Sequence, residues 1–540
     1  MANRERISSV DTAWLRMDRP TNLMMIVGVM IFDCPIDYPR LRQILETRFL
    51  KYRRFRQRVV EETSGYYWVE DDDFDLDAHL QRAALPGAGG KEELEKLVAQ
   101  LVSAPLNPNR PLWHFQLVEN YDGGTALVAR IHHCIADGIA LIGVMLSMTN
   151  EGPDASAEPV YDGMQSEVAE DHEGVWQQFF EPIGDALARA ARFTGALSKE
   201  LTQNPERISD YAKMGANIAI EVAQLAMMPD DSTTRLKGKP GATKRVAWSE
   251  PMPLTEIKAV GKFLGCSVND IVLSSVAGAL RSYLLEKGDS AQDVEVRALV
   301  PVNLRQAGQE HELGNRFGLV ALVLPVGEEN PLSRLYEVRR RMEELKGSYQ
   351  ASLTLGILGL VGMCPKQVQT QILDLLARKA TAVMTNVPGP QKTLYLAGAR
   401  LKQQMFWVPQ SGDVGMGASI LSYDGNVQFG LVTDKRFVPD PERIVACLQP
   451  EFEKVLYAVL IEPRHARDDA RSVERKLSGS PESPTMRPKG VSTPRTAAAH
   501  AASPGHAAEP QSAAHAARQE VPPATTVPKP KAPRVPKRFR

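Results

Sequence analysis

Apolar residues in this chain come in runs long enough for a strand or a short helix and no longer, and such runs alternate through both halves. The longest are residues 23–32 (LMMIVGVMIF), which read as a buried strand, and 353–363 (LTLGILGLVGM), which have short-helix length. A membrane-spanning helix needs roughly 20 such residues, so an integral membrane protein is not expected. Residues 37–49 carry helical spacing at Leu41, Ile44, Leu45 and Phe49, and residues 91–103 at Leu94, Leu97, Val98, Leu101 and Val102. Two strands follow, 113–119 and 125–132, around the turn residues 120–124, and then an apolar helix over 139–148.

From about residue 150 the texture changes. Residues 151–174 are polar and acidic, 175–228 are largely helical with Pro182 and Pro205 as breaks, and 227–242 form a loop. The second half then repeats the style of the first. Strands are expected at 243–249, 294–302, 320–326, 404–408, 418–423 and 426–433, with helices at 254–264, 267–287, 335–345 and 366–379. At 540 residues the chain exceeds one ordinary compact domain. The expected class is α/β, with two mixed sheets each flanked by helices. The expected parts are a first subdomain (1–150), a linker and helical crossover (151–242), a second subdomain (243–464) and a tail (465–540).

That tail is rich in Ala, Pro and Lys/Arg, cannot bury enough apolar surface to offset its ordering entropy, and is expected to be disordered. From Lys476 onward it holds eleven Lys and Arg against three Glu, which leaves −9 on the first 475 residues beneath an overall −1. Near-neutral bulk charge argues against a dedicated polyanion binder. The five cysteines form no CxxC pair, which argues against a disulfide framework or structural zinc and suits a reducing cytosol. The N-terminal residues show no secretory apolar segment, so a cytoplasmic protein is expected.

The sharpest local feature is Ile131-His132-His133-Cys134-Ile135-Ala136-Asp137-Gly138, at the end of an apolar strand and just before an apolar helix. Adjacent strand residues point to opposite faces, so one histidine should face a cleft while the other packs into the fold. A neutral imidazole with a pKa near 6.5 suits a general base acting on a hydroxyl or amine. Asp137 at the turn could orient an imidazole or hold the loop through an arginine, and Gly138 would let the chain turn sharply. Packing alone would also account for the pair. Adjacent histidines lack the i, i+4 geometry of a common helical zinc motif, so no metal is expected.

HHxxxDG, filled by His132, His133, Asp137 and Gly138, resembles the bacterial wax ester synthase/acyl-CoA:diacylglycerol acyltransferase family of the chloramphenicol-acetyltransferase-like superfamily. The resemblance covers most of residues 7–462. SSVDTAWLRMDRP (8–20), Pro111-Leu112-Trp113, KRVAWS (244–249), NDIVL (269–273), PVNLR (301–305), LGNRFG (313–318), TNVPGP (385–390) and SYDG (422–425) fall in family order. One departure is Met24-Met25-Ile26-Val27-Gly28, where the family usually reads like MHVG.

The resemblance implies two chloramphenicol-acetyltransferase-like subdomains with the active site at their interface. It implies that His133 is the general base on an acceptor hydroxyl and that His132 is structural. Asp137 would maintain the site, with Arg305 as a candidate partner. Asn269 and Asp270 would lie near the thioester, although Ser267 and Asn269 also suit helix capping. Pro111, Leu112 and Trp113 would line the acyl or alcohol path, with an ordinary core aromatic as the other reading of Trp113. Residues 353–363 could line an acyl tunnel or form a core helix. Acyl-CoA would be a substrate and no cofactor is needed. Acceptors would be diacylglycerol or a long-chain alcohol, with peripheral contact to the inner membrane face or lipid inclusions, no specific nucleic acid, and a homodimer left open. Another acceptor (a further hydroxyl or a carrier-bound group) and a silent lipid-inclusion protein are the competing readings.

Overall fold

A computed structural model describes residues 4–154, 230–304, 313–346, 354 and 378–461. The expected helices of the 175–228 crossover, the 353–363 run apart from Thr354, and the 465–540 tail lie outside the described residues, as does most of the 366–379 helix. The described residues all fall within one compact unit, Met1–Glu482.

Two large mixed sheets carry the fold. The first has six strands in the order Tyr395–Leu396, Ala399–Trp407, Met25–Phe32, Gly124–His132, Trp113–Tyr121 and Leu80–Ala83. The second runs Phe317–Leu324, Val296–Asn303, Ala382–Pro388, Met416–Tyr423, Asn426–Asp434 and Lys244–Trp248, with Met252–Pro253 added beside Asn426–Asp434. Its middle, from Val296–Asn303 to Met416–Tyr423, is parallel. A small sheet of Glu5–Arg6, Gly65–Glu70 and Gln57–Glu62 stands beside them.

The strand Met25–Phe32 shows why its sequence is continuously apolar. All eight residues are buried. Ile26, Met30 and Phe32 enter the first subdomain's core, while Met25, Val27, Val29 and Ile31 enter a second cluster with Val246, Trp248 and Trp407. A strand covered on both faces gains nothing from polar alternation. Its Gly28 is fixed by close approach, since a Cβ there would stand 2.3 Å from the Phe406 ring.

That contact also revises the expected subdomain boundaries. Residues 243–464 do not form a self-contained sheet, because Ala399–Trp407 leaves the second half and pairs antiparallel with Met25–Phe32, Trp407 against Val27. The crossing strand buries Met405 and Trp407 between the halves. The helix Gly138–Met148 is apolar almost all round and correspondingly buried, as a helix enclosed by protein must be. Among the described residues no single helix is long and apolar enough to cross a membrane.

Candidate active site

Strand pairing delivers the histidine pair to its place. Met25 lies opposite His132, the His132 N–H donates to Leu112 O at 2.9 Å, and the His133 N–H donates to Met24 O at 2.8 Å. The chain then turns through Cys134–Asp137 into the helix Gly138–Met148. Asp137 is its N-cap, with Oδ1 accepting the Ala140 N–H at 3.1 Å. Gly138 is the first helical residue and has no positive φ, so the expected sharp turn at glycine does not occur. Asp137 makes the turn in extended backbone, φ −81° and ψ 174°. A Cβ at Gly138 would meet nothing within 4 Å, so open space lies beside the helix start.

Three sequence motifs from distant parts of the chain close around His133. Its imidazole stacks on Trp14, with centroids 4.4 Å apart and planes 10° apart, and lies 5.5 Å from the Phe317 ring. Trp14 belongs to the N-terminal helix Ser9–Met17, and Phe317 opens an edge strand of the second sheet. Asn315 Nδ2 donates to His133 O at 2.7 Å and to Asp11 Oδ1 at 2.8 Å. Asp137 completes the closure, its N–H donating to Gly314 O at 3.2 Å and its Oδ2 accepting the Arg316 N–H at 3.0 Å. Arg305, the side chain expected near Asp137, lies outside the described residues. Trp14, Asn315 and Phe317 were not among the expected site residues, although the 8–20 and 313–318 motifs contain them.

The surroundings set the chemistry of each group. His133 is 3% exposed, and burial lowers its pKa from the usual value, with the Asp137 carboxylate, its own main-chain carbonyl and Asn315 working the other way. The buried atoms His133 Nδ1, Trp14 Nε1 and Asn315 Oδ1 have no hydrogen-bond partner among the described residues. Buried polar atoms are normally paired, directly or through ordered water, and these three belong to the side chains that meet at His133. Burial raises the Cys134 thiol well above its ordinary pKa, which makes it a poor nucleophile.

His132 is more than structural filler. Its Nδ1 accepts the Cys134 N–H at 3.1 Å, as a packing role requires, but its buried Nε2 is unpartnered and the residue lines a cavity of about 230 Å³. Burial and the neighbouring His133 push its pKa down to about 3, so it is neutral. The Nδ1 bond assigns the proton to Nε2.

The other expected residues divide. Leu112 lines the same cavity. Trp113 does not line it. It is 1% exposed, donates from Nε1 to Phe55 O at 2.8 Å and packs among Phe49, Phe55, Phe115 and His79, so it is a core aromatic. Pro111 is buried, and its carbonyl accepts the Trp113 N–H. Asp270 belongs to a capping box with Ser267 at the start of Val268–Glu286, which explains its acidic side chain without a substrate. Ser267 rather than Asn269 is the cap. Asn269 Oδ1 instead accepts from Asn386 Nδ2 in the TNVPGP segment.

A pair of mixed sheets joined by a crossing strand, with the histidine turn clasped at the seam, is a chloramphenicol-acetyltransferase-like fold. The catalytic-domain model of wax ester synthase/diacylglycerol acyltransferase matches residues 7–272, and the C-terminal domain model of the same family matches 313–455. The chain belongs to that family. A probable diacylglycerol O-acyltransferase of Mycobacterium tuberculosis is 27% identical over 446 residues, spanning 80% of this chain and 92% of that relative. The solved wax ester synthase/diacylglycerol acyltransferase from Marinobacter aquaeolei VT8 is similar with a TM-score of 0.60 at 22% identity, over 85% of this chain and all of that one. The starter condensation domain of rhizomide synthetase is similar with a TM-score of 0.51 at 13% identity, over 84% and 94%. At such identities the last two likenesses speak for the fold.

Proposed function

We propose that the protein transfers a fatty acyl group from acyl-CoA to the hydroxyl of diacylglycerol or a long-chain alcohol, releasing CoA and triacylglycerol or wax ester, with His133 as general base. The observation that carries this reading is the convergence of the histidine turn, the N-terminal helix and residues 314–317 on one buried imidazole, beside polar atoms left without partners. In the reaction His133 takes the acceptor hydroxyl's proton as the oxygen attacks the thioester carbon. The tetrahedral intermediate then collapses, and the protonated imidazole returns the proton to the departing CoA thiolate. A lowered imidazole pKa keeps the base unprotonated at neutral pH. Asn269 supplies a polarising amide to the thioester carbonyl. Its bond to Asn386 engages Oδ1 and leaves the NH2 group for the substrate oxygen.

His132 faces a cavity, which favours it as an alternative base. Its tautomer argues the other way, because Nδ1 is engaged by the Cys134 N–H and Nε2 therefore carries the proton and can only donate. Because the products partition into lipid, the reaction belongs at the cytoplasmic face of the inner membrane or at lipid inclusions. The basic tail serves there as an electrostatic anchor worth about 1 kcal/mol per Lys or Arg at an anionic surface.

The test offers palmitoyl-CoA with hexadecanol or diacylglycerol to the full chain, following CoA thiol release and products by thin-layer chromatography. His133→Ala should lower turnover roughly 10²–10⁴-fold. Undiminished release would remove His133 from the mechanism, and no release from the parent on either acceptor would favour a binding protein.

A further inference from the structure

Trp14 presents its ring face, not its N–H, to the base. The indole and the His133 imidazole stack with centroids 4.4 Å apart and planes 10° apart. The indole Nε1 is buried and has no hydrogen-bond partner among the described residues. Buried tryptophans usually find one, and Trp113 does, donating to Phe55 O at 2.8 Å. A phenylalanine at position 14 would fill similar space without burying an N–H. What an indole adds in this orientation is an electron-rich face, the strongest among the aromatic side chains toward a cation.

Two further contacts keep that face on the ring. Asp11 lies three residues before Trp14 on the helix Ser9–Met17, so both project from one side. Asn315 Nδ2 joins Asp11 Oδ1, at 2.8 Å, to His133 O, at 2.7 Å, which ties the helix to the backbone of the base. Phe317 closes the side of the stack, 5.6 Å from Trp14 and 5.5 Å from His133. The titratable groups around the imidazole are Asp137 from the following turn, the neighbouring His132, kept neutral by burial, the Cys134 thiol and Asp11. Arg54 acts electrostatically on the last two, and Arg316 meets Asp137 through its main-chain N–H.

We propose, resting on the acyl-transfer reading, that Trp14 stabilises the imidazolium that His133 becomes while it holds the acceptor's proton. As the acceptor O–H breaks and its oxygen bonds the thioester carbon, the proton moves to the imidazole. The ring then carries one positive charge until the departing CoA thiolate takes that proton back. Before and after this interval the stack joins two neutral rings. During it the stack is a cation–π contact, well inside the roughly 6 Å at which such contacts act. The added attraction belongs to the charged state alone, so it lowers the barrier and does not tighten substrate binding.

The experiment replaces all six tryptophans of the full chain with 5-fluorotryptophan and then with 5,7-difluorotryptophan, which draw electrons from the ring face at nearly constant shape. With palmitoyl-CoA and hexadecanol, kcat should fall with each fluorine while both KM values stay within twofold. The same series in a Trp14→Phe background should be flat, and Trp14→Leu should lower kcat about 2–30-fold. A second readout needs no turnover: the ¹⁵N-labelled His133 ring, assigned by its loss in His133→Ala, is titrated by NMR. Its midpoint should be highest in the parent, drop with each fluorine and be lowest in Trp14→Leu, because losing the contact disfavours the cation. If Trp14→Leu does not fold, the fluorinated chains, which keep the indole, decide alone. A midpoint indifferent to fluorine would overturn the role of the stack. So would a fluorine dependence of kcat equally steep in Trp14→Phe, which would place the effect at another tryptophan. A parent without turnover but with a fluorine-sensitive midpoint would sink the acyl-transfer reading and support the contact.

Discussion

Asp137 and Arg316 lie 179 residues apart, and the carboxylate of the first accepts the main-chain N–H of the second at 3.0 Å. The other carboxylate oxygen caps the helix Gly138–Met148 at Ala140. One buried side chain therefore fixes both the start of the helix after the histidines and the loop that brings Asn315 and Phe317 onto His133. Its role is to hold the two halves in register around the base.

Asp137→Ala removes an N-cap, worth about 1 kcal/mol, and the acceptor of the part-buried Arg316 N–H, worth about 0.5–1.5 kcal/mol. Urea denaturation should show a loss of about 1–3 kcal/mol, accompanied by reduced turnover. Asp137→Asn keeps one acceptor oxygen and should lose about half as much. A fully stable Asp137→Ala protein would mean that the clasp does not form.

The pH profile follows from the same carboxylate. Burial lowers the His133 pKa and Asp137 raises it again. The base works unprotonated, so activity should survive below pH 6.5 and fall only through the lowered value. Asp137→Asn removes the opposing charge, which lowers the pKa further and should move the acid limb of kcat/KM to still lower pH. A limb moving upward would contradict the electrostatic assignment.

Trp113 is the clearest case in which motif membership and substrate contact part company. Trp113→Phe keeps the ring packing but strands the Phe55 carbonyl, so stability should fall by about 1–3 kcal/mol in urea titrations. KM for alcohol and for acyl-CoA should stay within twofold of the parent. A tenfold rise in either would return Trp113 to the substrate path.

Much of the fold was readable where burial alone dictates residue type. The helix Leu254–Leu264 matches its apolar spacing at both ends, and the run at 23–32 is a strand buried on both faces. Elements whose sequence carries polar or breaking residues for reasons of context were missed. Ala382–Pro388 is central and parallel to both neighbours, yet Thr385, Asn386 and Pro388 make it read as a loop. Pro441–Ile461 contains Pro450, which obscures a 21-residue helix. Ala399–Trp407 extends five residues ahead of the expected 404–408 because its early residues alternate Leu401 inward with Arg400 and Lys402 outward. At the site, each motif was visible singly. Their contact was not, because no local period reports that Asn315 reaches across 182 residues to the His133 carbonyl.

The Asn269–Asn386 pair lends itself to a double-mutant cycle. If Asn386 acts only by orienting the Asn269 amide, Asn269→Ala and Asn386→Ala should each lower kcat, with Asn269→Ala the more severe. The double variant should then match Asn269→Ala, a coupling of about 0.5–3 kcal/mol. Additive losses would mean that the two amides act independently.

A buried ion pair inside the second subdomain gives the last test. Arg334 and Glu451 are 1% and 3% exposed, with Nη2 to Oε2 at 2.5 Å. Arg334 also donates to the carbonyls of Ser274 and Glu328, and Ser282 donates to Glu451 at 3.1 Å. A Cβ at Gly278 would stand 2.2 Å from Glu451 Oε2 and 2.5 Å from Arg334 Nη2, so the helix Val268–Glu286 needs a glycine where the pair crosses it. Removing Arg334 leaves Glu451 with Ser282 and the half-exposed Lys454, so Arg334→Met should cost about 1.5–3 kcal/mol, the worth of a charge-assisted hydrogen bond. Removing both in Arg334→Met/Glu451→Leu should recover most of that, since well-packed apolar replacements of a buried pair are often neutral. Gly278→Ala should destabilise the parent and do less harm in the double variant, whose shorter polar-free side chains can yield. Equilibrium unfolding of the five proteins decides the matter, and a loss below about 1 kcal/mol in Arg334→Met would mean that Lys454 alone compensates Glu451.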